Sequence, residues 1–119
     1  MDHVVYLDAK AKELEKLLQG SKTMIIRGAT GRKLPYGRVN VDDTLYFINN
    51  DGEGLVKAKA VVASVFNSEK MSPDESVALV KNHQNTLQLT DAQMKKWAGK
   101  RYIVLIELNP TEEIESFGI

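Results

Sequence analysis

Between Lys22 and Arg38 the chain carries five basic residues, Lys22, Arg27, Arg32, Lys33 and Arg38, and no acid. Over the whole sequence 16 Lys and Arg are balanced by 16 Asp and Glu, so this segment is a local positive run on a neutral background. Lysine offers an anion a compact point charge, and arginine offers a planar fork that grips phosphate or the edge of a base. Tyr36, between Lys33 and Arg38, adds a ring on which a base can stack. The zero balance itself excludes a histone-like protein held to nucleic acid by bulk charge. The ordinary alternative is a solvated basic loop. Lys22 and Arg27 are an odd number of residues apart, so a regular strand would send them to opposite faces. A bulge, or positions at the two strand ends, would be needed to turn both into one cleft.

The remaining inventory is sparse. A second basic group, Lys95, Lys96, Lys100 and Arg101, surrounds Trp97, the sole tryptophan. It reads as the C-terminal end of a helix with an aromatic core anchor. The histidines are His3 and His83 alone, without the spacing of a metal site, so no metal and no cofactor is expected. Asp42 and Asp43 are adjacent and would face apart on a strand, so a turn is their expected use. The run 49–54, NNDGEG, lacks the alternating acids of a calcium loop and reads as a hairpin turn. Gly28 to Gly31 lacks the lysine of a phosphate loop, and no G-x-S-x-G is present. With no cysteine, disulfides, zinc fingers and thiol nucleophiles are excluded.

These residues need a scaffold, and 119 residues with 43% apolar side chains suit one domain, 1–119, with its own core. The longest apolar run, Tyr102 to Ile106, is far short of a membrane span, and the N-terminus has no signal-peptide pattern. A cytoplasmic location is therefore expected.

His3 to Leu7 reads as a strand, followed by a helix from an Asp8 N-cap to Gln19. Ala11, Leu14, Leu17 and Leu18 form its apolar face, Glu13 falls among the charged residues of the other side, and Gly20 stands at the C-cap. Lys22 to Arg27 is a second strand, and GATGRKLPYG a loop. Thr44 to Ile48 is a third. Leu55 to Phe66 is a long fourth strand, half-exposed at first and buried towards its end. Capping boxes at Ser72 and Thr90 start two helices. Arg101 to Leu108 is a buried last strand, stopped by Asn109-Pro110. The order predicts an α+β, mainly β fold, a small closed sheet of about five or six strands with about three helices.

Residues Gly20 to Arg27, GSKTMIIR, resemble the G-x-K-x-x-E-x-R signature of the ASCH domain, within the PUA-like superfamily of small β-barrels linked to RNA. Gly20, Lys22 and Arg27 fall on its Gly, Lys and Arg, while Ile25 stands at the Glu position. The layout of VNVDDTLYF, the long Val/Ala strand and KRYIVLIEL is similar too, so the resemblance spans nearly the whole chain. It implies a cleft along the motif strand and basic loop that receives RNA or a nucleotide. Gly20, Lys22 and Arg27 would contribute to it, with Arg32, Lys33, Tyr36 and Arg38 from the loop.

One branch of the family, which resembles this chain in the run K-T-x-x-I-R, hydrolyses acetylated cytidine. That chemistry uses the Lys, a Thr where Ile25 stands, and a helical Glu that falls near Asn85. With neither hydroxyl nor acid at those positions, the expectation is a non-catalytic RNA- or nucleotide-binding module. The alternative is a small nucleoside-directed amidohydrolase that keeps Lys22 and takes Thr23 or Thr30 as nucleophile. A protein-interaction domain is a third reading. Both nucleotide-directed readings require Lys22 and Arg27 to converge in one concave cleft, and a hydroxyl and carboxylate beside Lys22 would mark the enzyme.

Overall fold

The structure, a computed structural model, describes residues 1–29, 31 and 37–118. Strands β1 (Asp2–Leu7), β2 (Met24–Ala29), β3 (Thr44–Asn49), β4 (Leu55–Asn67), β5 (Tyr102–Leu108) and β6 (Glu112–Gly118) form one sheet in the order β1-β3-β4-β5-β2, with β6 added to β4. Helix α1 (Glu13–Gln19) links β1 to β2, and α2 (Pro73–Asn82), α3 (Gln84–Leu87) and α4 (Asp91–Trp97) link β4 to β5. The expected mainly β, barrel-like sheet with flanking helices is what the chain forms, except that the sheet curls without closing, since β1 and β2 do not pair. No helix among the described residues is long and apolar enough to cross a membrane.

β4 is the hinge of the sheet. Its first half pairs with β3 and its second half with β5, both antiparallel. Up to Val62 the even positions Val56, Ala58, Ala60 and Val62 are buried, as alternation requires. A shift of register between Val62 and Ser64 then changes the phase. The second half is therefore half-exposed, with Phe66 at 48% exposure, and not buried as its apolar sequence suggests.

The curled sheet divides the core. On its concave side Leu7, Ile25, Phe47, Ala58, Val62 and Ile106 pack with Leu14 and Leu17 of α1. On the other side Met24, Ile26, Ile103 and Leu105 pack with Val80, Leu87 and Leu89 of the helical layer. Both faces of β2 and β5 are covered, which explains their unbroken apolar sequences. The capping boxes are formed as the sequence implies: Ser72 with Glu75 opens α2, and Thr90 with Gln93 opens α4.

Three local expectations are corrected. α1 begins at Glu13, not at Asp8. Asp8 still caps a turn, since its carboxylate accepts from Ala11 N–H at 3.2 Å, but Lys12 sits at φ 56°, which interrupts any helix between them. Lys22 precedes β2, which starts at Met24, so strand alternation does not govern it. β6 was not expected; its acidic sequence hides a strand that is held through backbone pairing to β4, the Lys59–Glu112 ion pair at 3.4 Å and an edge-on Tyr46–Phe117 contact.

Asp43 does serve a turn, and more. Its carboxylate, almost fully buried, accepts from His3 Nε2 at 2.8 Å and from Asn40 N–H at 2.9 Å, and meets the Met1 amine at 3.2 Å. The His3 bond first, then that from Asn40, hold its carboxyl at about 2 against an ordinary 3.8. A carboxyl lowered in the folded state contributes stability that is complete above about pH 4 and is lost as pH falls through about 2. Thermal melts across that window should therefore be steeper in pH for the natural protein than for Asp43→Asn. Parallel curves would show that Asp43 is not what the acid limb titrates.

Candidate functional site

The two ends of the sheet, β1 and β2, face each other across an open seam. β1 runs parallel to β3, and the backbone bonds from Thr44 N–H to Met1 O and from Asn50 N–H to Leu7 O show its odd-numbered carbonyls turned towards β3. The even ones face the seam. There the Arg27 guanidinium donates from Nη2 to Tyr6 O at 2.7 Å and from Nη1 to Ile26 O at 2.6 Å. Arg27 thus spans the gap that backbone pairing leaves unclosed. Its guanidinium carbon lies 5.8 Å from the Trp97 ring centre, and Lys96 Nζ lies 4.7 Å from the same ring. Both distances are within cation–π range.

A cleft of about 330 Å³ opens along this seam. His3 and Tyr6 of β1 line one wall and Arg27 of β2 the other. Val5, Ile25, Val39 and Ile106 supply an apolar lining. Burial lowers the tendency of Arg27 to hold its proton, and the Glu13 charge opposes that effect. No carboxylate among the described residues lies within ion-pair distance of Arg27. Its hydrogen bonds go to two neutral carbonyls, which leaves three of its five N–H groups unused among the described residues.

Lys22 is placed elsewhere. It is 1% exposed, and its ammonium donates to Leu87 O and faces Glu13 Oε2 at 3.5 Å. Burial lowers its pKa, and the Glu13 charge and hydrogen bond partly restore it. Glu13 is buried as well, and its other oxygen accepts from Asp8 N–H at 2.8 Å. The sequence placed Glu13 on the solvent side of a longer helix; beginning the helix at Glu13 turns it inwards instead. This acid was missed, because the left-handed turn at Lys12 that redirects it leaves no mark in residue types.

The expectation that Lys22 and Arg27 share one cleft is not met, so the shared-cleft basis of both nucleotide-directed readings is lost and any such reading must stand on Arg27 without Lys22. Lys22 lines a separate hollow of about 280 Å³ with Gly20, Thr23 and Pro110. The carboxylate beside Lys22 is Glu13 and not a residue near Asn85, which is exposed in α3. No hydroxyl among the described residues bonds to Lys22. Thr23 instead continues the backbone, with its N–H on Thr86 O at 3.0 Å and its carbonyl accepting from Leu108 N–H at 2.9 Å. Ile25 is fully buried and lines the seam. Gly20 ends α1 at φ 80°, where glycine serves the chain reversal, and it lines the hollow beside Lys22.

Of the basic loop, Arg38 is exposed. Thr30, Arg32, Lys33 and Tyr36 lie outside the described residues. Arg27 and Val39, which flank that segment in the sequence, both line the cleft.

No protein-family model matches the chain, and no curated protein does. Solved structures do match. A crystal structure of a point mutant of ZmASCH from Zymomonas mobilis superposes with a TM-score of 0.71 at 14% identity, over 98% of this chain and 74% of that one. The unmutated ZmASCH gives 0.69 at 15% identity, over 98% and 72%. The hypothetical protein PH0355 gives 0.58 at 16%, over 96% of this chain and 100% of that one. At such identities the likeness speaks for the backbone alone. The superposition over nearly the whole chain gives this protein the fold of the ZmASCH structure.

Proposed function

We propose that this ASCH-type module binds single-stranded RNA or a nucleotide at the seam, without catalysis. The observation that carries the reading is Arg27, a guanidinium in a largely apolar cleft with no acidic partner among the described residues and with donors to spare. A part-buried cation among apolar side chains, with Glu13 acting on it only from beyond ion-pair distance, is under-compensated, and an incoming acceptor offsets that cost. The basic run supports the same reading, since Arg32, Lys33 and Arg38 lie in the sequence between Arg27 and Val39, both of which line the cleft. They would take phosphates while a base enters beside Arg27, with Tyr36 available for stacking. Gly20 and Lys22 act in this reading as structure.

Fluorescence anisotropy with a labelled RNA octamer tests it. Three neutralised phosphates give a log–log salt slope of about −2, at about −0.7 each. Arg38→Ala should lower that slope by about 0.7. Arg27→Ala should weaken binding at least about tenfold, the value of a charged hydrogen bond. Lys10→Ala, an exposed control, should change neither. Equal losses from all three would indicate diffuse electrostatics, and no binding at ~50 mM salt would remove the reading.

The Lys22–Glu13 pair favours a second reading, an amidohydrolase acting on acetylated cytidine, because a lysine beside a carboxylate is part of that machinery. Against it stand the complete burial of Lys22 and the lack of a hydroxyl bonded to it among the described residues. Acetate release that disappears in Lys22→Ala would promote this reading over the first.

A further inference from the structure

His3, which lacks the spacing of a metal site in the sequence, stands in the cleft wall across from Arg27. Its Nε2 is committed to Asp43 Oδ2 at 2.8 Å. Asp43 also receives the Asn40 N–H and the Met1 amine, an environment that keeps it ionised. An ionised carboxylate only accepts, so Nε2 must carry the hydrogen. In the neutral ring this leaves Nδ1 as a bare acceptor, and no described residue bonds to it. With the His3 ring neutral, the residues lining the cleft therefore offer donors from Arg27, an acceptor from His3 and apolar side chains. Its volume lies at the lower end of the range for small-molecule pockets, which favours a single ring over a fused pair.

We infer that the cleft between β1 and β2 selects a base whose edge presents carbonyl oxygens beside a ring N–H, namely uracil, with Arg27 donating to a carbonyl and His3 Nδ1 accepting from the N–H. This rests on the RNA-binding reading above and adds base specificity to it. Cytosine offers an acceptor where uracil has its ring N–H, and would place that lone pair against the His3 lone pair. Adenine offers no carbonyl to Arg27. A site built to pair with both groups rejects a ring lacking one, because its own buried polar group is then left unpaired. Asp43 acts here as a positioning residue, since it fixes which nitrogen of His3 is bare.

The test uses octamers of U, C and A, together with a U octamer methylated at N3, measured by anisotropy at one salt concentration. The natural protein should prefer U over C, A and N3-methyl-U by about tenfold or more. His3→Gln can keep the hydrogen bond to Asp43 while removing the group at Nδ1. It should retain the melting temperature, lose the preference for U and keep the salt-dependent binding common to all four. His3→Asn places an amide near Nδ1 and should restore part of the preference. Equal affinity for all four octamers overturns the inference and leaves RNA binding standing. A preference for U that survives in His3→Gln overturns the role of His3. Absence of binding to every octamer overturns both this inference and the reading on which it rests.

Discussion

Glu13→Ala should destabilise the fold by about 3–5 kcal/mol, the usual consequence of removing one partner from a buried ion pair. Glu13 is 5% exposed and Lys22 1% exposed, so water cannot take over the lost interaction. The variant leaves the Lys22 ammonium with the Leu87 carbonyl as its described partner and leaves the Asp8 N–H without its acceptor. The sign of the pH dependence is fixed by the same geometry. Burial already holds the Lys22 pKa below its ordinary 10.5, and Glu13 is the main influence raising it. Without Glu13 it falls further. The unfolded chain then binds more protons than the folded one over a wider range, so stability must rise with pH towards about 10.5, more steeply in the variant. Urea midpoints between pH 6 and 9 measure this. The double variant Glu13→Leu with Lys22→Met removes both charges and should recover much of the loss, whereas Glu13→Ala alone should not. A single variant within about 0.5 kcal/mol of the natural protein would mean that the pair is solvated.

That pair also shows where the sequence stopped being legible. Strands whose apolar pattern matches their burial were visible in outline: β3, the first half of β4, and β5. So were the two helices whose capping boxes state where they begin. Each of these depends on residues close in sequence. The features that escaped depend on partners far away in the chain. Glu13 looked solvent-facing because a helix running from Asp8 would turn it outwards; the left-handed residue Lys12 changes that phase, and no side-chain type announces it. The phase change in β4 comes from pairing first with β3 and then with β5, which its own residues do not encode. β6 carries three glutamates over seven residues and has no apolar face to recognise; β4 supplies its hydrogen bonds. At the site the motif positions were found, but their division was not. Lys22 belongs to the foot of α1 and Arg27 to the seam, and only the fold separates them. His3 became a candidate only through Asp43, 40 residues later, whose carboxylate its Nε2 meets at 2.8 Å.

The second large effect lies in the helix that presents Glu13. Leu14→Ala should cost about 2–5 kcal/mol, the range for a buried leucine whose site collapses only in part. Leu14 is 5% exposed and packs, with Leu17, against the concave face of the sheet. α1 has seven residues, too few to be helical by themselves in water, so its stability comes from this docking. Leu18, half-buried beside the same cluster, should cost less when truncated, and the exposed Lys10 almost nothing. The effect should not remain local to the apolar face. Loosening α1 moves the Glu13 carboxylate away from Lys22, so the Lys22 ammonium should become open to water more often. Acylation of Lys22 by a water-soluble amine reagent, followed by peptide mass mapping, should therefore accelerate in Leu14→Ala under conditions where the variant is still folded. The two losses should also overlap: Glu13→Ala with Leu14→Ala should cost less than the sum of the single variants, because each already weakens the docking that the other needs. Urea unfolding with an unchanged slope measures the cost. A loss below about 0.5 kcal/mol, or additive losses in the double variant, would show that α1 is not the element that holds the pair together.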